Sequence, residues 1–471
     1  MSAFSGSNGE VHFSLKYGDS VIDLSLPPED LAFVIEPQPS IGIDDTFAAL
    51  RSAVEDLSLP PADLAFVIEP QPSIGIDDTF AALRSAVENP INSPPLRAVI
   101  AASDKVVVIA SDVTRLSVRC DILVPFVLGQ LAEYGVPDDN ITILFALGTH
   151  RRHTREEHVR VLGEKVVQRY RIVDHDCHDE AGHVFLGTTR RGTHVAINRL
   201  VVEADKIILT GGVDFHALAG FGGGRKALCP GVAYFETIQE NHSLALERSG
   251  SQPIHPGCVP GRLKDNPVAE DLDEIAAIIE PHFILNSVVN PDARIVDVVA
   301  GHWRDAFLAG CERIGSLYSV PVPERFDAII ASCGGFPKDI NMWQSVRGFH
   351  AAASALKDGG VVILVAEARD GSGNPEFEKW FEYPSAEAIK SELLRDFHLP
   401  GHVAMRLLHE VGEHPTFLVS SISDDLARRM RLRKVASVEA AIRQAKALLG
   451  AGARFAVMPY AKATIPVLAA D

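Results

Sequence analysis

The stretch GFGGGRKALCPG, Gly220–Gly231, holds Lys226 in its middle. His216 precedes that lysine by ten residues, His242 follows it by sixteen, and His150 stands further upstream in GTHRRHT. An amine on a four-carbon arm acts as a point charge or as a covalent attachment point. An imidazole acts as general acid, general base or transition-metal ligand. The ATP-binding loop needs Gly directly before its Lys and Ser or Thr directly after it. Arg225 and Ala227 occupy those places, so the stretch is not that loop. Its glycines, Gly223 and Gly224 among them, would let backbone come close to a bulky ligand; a surface turn with a solvated lysine is the competing reading.

SDVTR sets Asp112, Thr114 and Arg115 together. The arginine fork suits a carboxylate, while a helix cap beside a surface arginine explains the same letters. His150 reads equally as a loop or core histidine. None of the histidines has the short H-E-x-x-H zinc spacing. VDHDCHDE, Val173–Glu180, gathers His175, Cys177 and His178 among acids, a soft-metal site or simply a solvated loop. Taken together, these residues point to a cofactor-bearing enzyme acting on a small anionic substrate, and they leave the reaction open.

The elements around these motifs predict where they sit. KVVVIASDVTR, ITILFALGTH and ADKIILTGG read as buried strands that end in polar residues, and HFILNSVVN as a further strand. DILVPFVLGQLAEYG and REEHVRVLGEKVVQRY read as helices between them. Apolar strands alternating with helices predict a mostly parallel sheet covered on both faces, with ligand-binding residues just beyond the strand C-termini. A second α/β unit starts near Val322: RFDAIIASCGG and VVILVAEARDGSG as strands, and a helix in NMWQSVRGFHAAASALKDGG ending at a glycine pair. The expected fold is therefore α/β, two domains with mostly parallel sheets and an active-site cleft between them. We expect an N-terminal cofactor-binding domain over residues 1–310, completed by segment 455–471, and a C-terminal domain over 311–454.

The chain has 471 residues and a net charge of −18, long enough for two cores. Its acidity disfavours nucleic acid as a partner. Six scattered cysteines suit a reducing compartment, and neither a signal peptide nor a membrane span is read; a cytoplasmic location is expected. Asp23–Glu55 recurs as Asp56–Glu88 with a single difference, Glu29 against Ala62. Near-identity of this kind reads as an in-frame duplication, each copy offering a short strand and a helix opened by two aspartates. One copy is expected in the proper slot and the other as a surplus surface unit or a poorly ordered insertion.

Ordered matches along nearly the whole chain, among them NPINSPPLR, SDVTR, ITILFALGTHR, GFGGGRKALCPG, ETIQENHS, GGFPKDINMWQSVRG and ILVAEARDGSG, resemble the nickel-pincer lactate racemases and their relatives acting on other 2-hydroxy acids. The resemblance implies a cofactor: the Ni(II) complex of pyridinium-3-thioamide-5-thiocarboxylic acid mononucleotide, tethered to Lys226. It implies His242 as the protein's nickel ligand, His150 and His216 as the acid/base pair and Arg115 as the carboxylate-orienting residue. Asp112 and Thr114, with Gly223, Gly224 and Arg225, fall on the cofactor side; Trp343, Gln344 and Arg347 fall on the substrate side. It also implies cofactor-building and cofactor-inserting enzymes as partners, and leaves the oligomeric state open.

The implied reaction is racemisation or epimerisation by reversible hydride transfer, each histidine serving one face of the substrate. The sequence departs from the family pattern at Leu116 and Phe215, where proline is usual, at Trp343 for tyrosine and at Arg347 for lysine. These departures favour a larger 2-hydroxy acid over lactate. Competing readings are lactate racemase proper, a non-catalytic carrier needing only Lys226 and His242, and a zinc hydrolase using the His175–His178 cluster.

Overall fold

The structure, a computed structural model, describes residues 11–17, 20–26, 64–68, 75–250, 252–336 and 338–468. These divide into one unit over Ile74–Gly315 and another comprising Ser316–Asp471 with the chain before Ile74.

In the Ile74–Gly315 unit the main sheet is built from β1 (Val106–Ser111), β2 (Ile141–Ala146), β3 (Arg171–Asp174), β4 (Lys206–Gly212), β5 (Phe283–Val289) and β6 (Ile295–Gly301). Their order is β6-β5-β4-β1-β2-β3. All neighbours are parallel except the β5–β6 pair, which runs antiparallel at the edge. Val106, Val108, Ile141 and Ile143 are buried with Leu123, Val127 and Leu131 of α2 (Cys120–Glu133) in one core. α1 (Thr79–Glu88) adds Leu83 and Val87, one helical turn apart on its buried face, and Asp78 caps its N-terminus by accepting from Ala81 N at 2.9 Å. The stretch expected as a single helix after His150 breaks at Gly163, whose φ of 85° ends α3 (Arg155–Leu162) before a second short helix.

The other unit carries a six-stranded, all-parallel sheet. Its strands are β7 (Phe326–Ser332), β8 (Leu356–Val365), β9 (Thr416–Val419), β10 (Arg433–Lys434), β11 (Phe455–Met458) and the Leu64–Val67 strand. The order is β10-β9-β8-β7-β11 and then Leu64–Val67. Segment 455–471 therefore does not complete the first sheet, contrary to the sequence expectation. β11 lies parallel to β7, and Ile465–Leu468 pairs with Ser319–Val322. RFAVM is apolar enough to fill any buried slot, and its buried Ala456, Val457 and Met458 match Ile329, Ile330 and Ala331 of β7 in register. The glycine pair expected to end the preceding helix belongs instead to β8, while that helix, α4 (Met342–Ala353), stops earlier. Among the described residues no helix is long and apolar enough to cross a membrane.

The second copy of the duplicated segment supplies a strand and a helix. Leu64–Val67 supplies the outer strand of one sheet, and Thr79–Glu88 supplies α1. The strand and helix expected of the first copy lie outside the described residues. Deleting Asp23–Glu55 regenerates the sequence VIDLSLPPADLAFVIEP around the remaining copy. We expect soluble yield and melting temperature to be kept; a drop in melting temperature of more than about 2–4 °C, the equivalent of about 1 kcal/mol in a domain of this size, would show that both copies contribute to the cores.

Candidate active site

Three neighbouring strands of the first sheet end at the candidate residues: β1 at Asp112, β2 four residues before His150, and β4 four residues before His216. This is where parallel sheets place ligands. Asp112 caps the short 3-10 helix Val113–Val118, accepting from Thr114 N at 3.1 Å and from the Thr114 hydroxyl at 2.6 Å on Oδ1. Arg115 Nη1 reaches the same oxygen at 3.4 Å. The other carboxylate oxygen closely contacts His150 Nδ1. Burial alone would raise the Asp112 carboxyl, but the His150 hydrogen bond and the Arg115 charge outweigh it and hold the group well below the usual carboxylate range. With Asp112 ionised, Nδ1 of His150 is the nitrogen that donates to it, and Nε2 is the nitrogen left for other partners. The turn that presents His150 is tied down by Gly148 N donating to Gly231 O at 2.9 Å.

A second set of residues, unread in the sequence, fixes the Asp112 turn from below. Asp174, the last residue of β3, accepts from His153 N at 2.8 Å, from His153 Nδ1 at 3.0 Å and from His158 Nε2 at 2.9 Å. His153 Nε2 accepts from Val113 N at 3.0 Å. Burial would raise the Asp174 carboxyl; the two imidazole hydrogen bonds win and lower it. Among the described residues this trio is the histidine–carboxylate group close enough to hold a metal ion, its ligand atoms all within 4.8 Å of one another. The signal was present as His153 and His158, three and eight residues after His150, but only the fold brings Asp174 to them. The His175–Cys177–His178 cluster dissolves. Buried His175 donates to Ala233 O at 3.0 Å and accepts from Asn198 Nδ2 at 3.2 Å, while His178 leans on the Phe235 ring. Burial pushes the Cys177 thiol up to about 11. The zinc-hydrolase reading loses its site.

The glycine-rich loop follows β4. Phe215–His216 pairs antiparallel with Gly220–Phe221. His216 Nδ1 accepts from Leu218 N at 3.2 Å and Ala219 N at 3.1 Å, and His216 Nε2 lies 3.2 Å from Lys226 Nζ. The glycines are required by the protein's own packing. A Cβ on Gly223 would come within 2.4 Å of Gly212 O, and one on Gly224 within 2.7 Å of the Phe307 ring. Both glycines have positive φ, 76° and 49°, so they admit the loop against the protein's own sheet and helix. Asn286 of β5 accepts from Gly224 N at 2.8 Å and fixes that approach. Arg225 is fully buried, ion-paired with Asp273, its guanidinium 4.3 Å from the centre of the Phe307 ring. It anchors the loop from inside the unit while the adjacent Lys226 meets His216.

His242 lies near the end of the Phe235–Ser243 helix, buried. Its Nδ1 donates to Ile238 O at 2.9 Å, which leaves Nε2 as the nitrogen a metal would take. Asn241 beside it donates to Asp271, which also accepts from Thr189 and Thr193, so a buried polar network holds this helix end. In the other unit Trp343, Gln344 and Arg347 occupy the first turns of α4. Asn341 caps that helix through Gln344 N at 3.0 Å, Trp343 meets Phe377 edge-on at 5.1 Å, and Lys462, unread in the sequence, donates to Gln344 Oε1 at 2.8 Å. The structure thus brings Asp112, Thr114, Arg115 and His150 together, brings His216 to Lys226, and sets the other three residues on one helix start.

Comparison with known proteins matches residues 50–252 to the lactate racemase N-terminal domain and residues 323–465 to the lactate racemase C-terminal domain. The lactate racemase of Lactiplantibacillus plantarum is 33% identical over 381 residues, covering 79% of this chain and 87% of that protein. The lactate racemase of Thermoanaerobacterium thermosaccharolyticum is 32% identical over 377 residues, covering 79% and 86%. The structure resembles the lactate racemase apoprotein from T. thermosaccharolyticum with a TM-score of 0.83 at 28% identity, over 97% of this chain and all of that one. A Thermotoga maritima protein shares the fold at a TM-score of 0.60 and 19% identity, over 83% of this chain and 97% of that one.

Proposed function

The chain belongs to the lactate racemase family, and from that premise we propose that it racemises or epimerises a 2-hydroxy acid with a nickel-pincer nucleotide tethered to Lys226. The observation that supports this most directly is the contrasting hydrogen bonding of the two histidines. His150 donates from Nδ1 to ionised Asp112, which leaves Nε2 as the nitrogen that can serve as a base. His216 accepts two backbone amides on Nδ1 and keeps its proton on Nε2, so it rests as an acid. Inverting a carbinol centre through a planar keto acid needs a proton taken on one side and delivered on the other.

The residues present suit the implied cofactor. Lys226 offers a partly exposed amine beside a catalytic imidazole, and buried His242 has its metal-binding nitrogen defined by the Ile238 carbonyl. When bound, the cofactor supplies a reversible acceptor for the substrate's α-hydride, the hard step that the protein side chains cannot perform. The chain itself does the rest. Arg115, held at the Asp112 turn, orients the substrate carboxylate. His150 removes the hydroxyl proton, and His216 delivers one to the carbonyl oxygen of the keto acid; for the other enantiomer the roles exchange. Trp343, Gln344 and Arg347 are assigned to the substrate on family resemblance.

Arginine's rigid fork at position 347 and the large ring at 343 favour a polyhydroxy or aryl 2-hydroxy acid over lactate. With cofactor-loaded protein, a chiral-product screen over 2-hydroxy acids should rank such an acid above lactate in kcat/KM by on the order of tenfold. Lactate ranking first would make both residues neutral variations. Loaded protein that scrambles no 2-hydroxy acid would overturn the assignment.

A further inference from the structure

The contact between His216 and Lys226 is made by the chain's own side chains, and the hydrogen bonds around it constrain its protons. His216 Nδ1 faces two backbone N–H donors, from Leu218 at 3.2 Å and Ala219 at 3.1 Å. A backbone N–H cannot accept, so Nδ1 holds its lone pair and the ring's one proton sits on Nε2. An imidazolium would set a third N–H against those two. Nε2, carrying that proton, lies 3.2 Å from Lys226 Nζ. An ammonium at that distance would oppose N–H to N–H, whereas a neutral amine presents the lone pair that completes the hydrogen bond.

We propose that His216 holds Lys226 as a neutral amine in the cofactor-free chain, making it the protein's acyl-accepting nucleophile. Ordinary lysines keep about one amine in a thousand unprotonated near neutral pH, so this state is a substantial activation. The His216 tautomer depends in turn on the turn geometry, and Asn266 secures it by donating from Nδ2 to Leu218 O at 2.8 Å. In the step itself Nζ attacks the carbon of an activated acyl or thioacyl group. The C–N bond forms, the bond to the leaving group breaks with its electron pair, and the surplus proton on nitrogen passes to solvent. The histidine thus has a role before the one proposed for it in turnover. That purpose rests on Lys226 being the attachment point, but the reactivity does not.

The test is competitive acetylation of the cofactor-free full-length chain with trace acetic anhydride, each lysine read by peptide mass spectrometry. Acetyl transfers to nitrogen and acetate departs. Near pH 7, Lys226 should label on the order of tenfold faster than the median lysine despite its partial burial, because its amine is already neutral. Near pH 10, where ordinary lysines also present neutral amines, that advantage should collapse. His216→Ala should bring Lys226 to the median, and His216→Gln, whose amide can still donate, should retain part of the advantage. Labelling of the unmodified protein at or below the median near pH 7 would overturn the proposal without any variant being needed. So would an advantage that persists near pH 10, or one that survives in a folded His216→Ala protein. Loaded protein without a Lys226 adduct would overturn the tether instead and leave these labelling results standing.

Discussion

Replacing Asp112 with asparagine in the cofactor-loaded protein is expected to lower kcat by about 10²–10⁴-fold, the range that a positioned acid–base group contributes. The buried carboxylate fixes which nitrogen of His150 bears the proton. An asparagine amide turned toward Nδ1 would donate rather than accept, shifting the ring proton to Nε2 and removing the lone pair that takes the substrate proton. Because the family resemblance puts Asp112 on the cofactor side, kcat is compared per loaded molecule, with intact mass giving the loaded fraction. Losing a charged hydrogen-bond partner should cost about 1–3 kcal/mol of stability. The pH dependence has a definite sign. The folded carboxyl is held below its unfolded value, so its stabilising contribution is complete above the ordinary carboxylate range and is lost only as pH falls through the depressed value. In the wild type, Asp112 therefore stays ionised across any acid limb set by an imidazole, and that limb should not report it. Chiral product analysis beside intact-mass loading checks the claim; a kcat within about threefold of wild type would show that His150 does not depend on Asp112 for its tautomer.

The second large effect separates attachment from metal binding. Protein produced with the cofactor-building enzymes should carry a several-hundred-dalton adduct on Lys226 together with nickel. Lys226→Ala should lose the adduct altogether, and with it nickel and activity. His242→Ala should keep the adduct and lose nickel, because its Nδ1 is engaged by Ile238 O and its Nε2 is the nitrogen assigned to the metal. Intact-mass spectra and metal analysis read the two outcomes independently of turnover. An adduct on another residue, or nickel retained equally in the Lys226→Ala protein, would sink the tether; nickel retained in His242→Ala would sink the ligand assignment alone.

Much of this was legible in the sequence because it is local. The apolar runs that became β1, β2 and β4 need burial on both faces, and the polar residues at their ends could then lie only beyond the sheet. Chain order alone therefore placed Asp112, His150 and His216 at the C-terminal ends of strands, and the amine of Lys226 and the imidazoles advertised their chemistry by residue type. The tertiary structure decided what depends on neighbours distant in sequence. RFAVM could fill a buried slot in either sheet, and register with β7 settled which. The glycines before Lys226 signalled close approach without saying to what, and the answer was Gly212 and Phe307. His153 and His158 gained their meaning from Asp174, and His175 lost its metal reading to Ala233 and Asn198. Protonation is the clearest division. The two imidazoles proposed as the acid/base pair are the same residue type, and sequence assigns neither tautomer. A carboxylate at one Nδ1 and two backbone amides at the other favour opposite tautomers of the neutral rings, because a ring proton goes wherever the surrounding donors and acceptors leave it a partner.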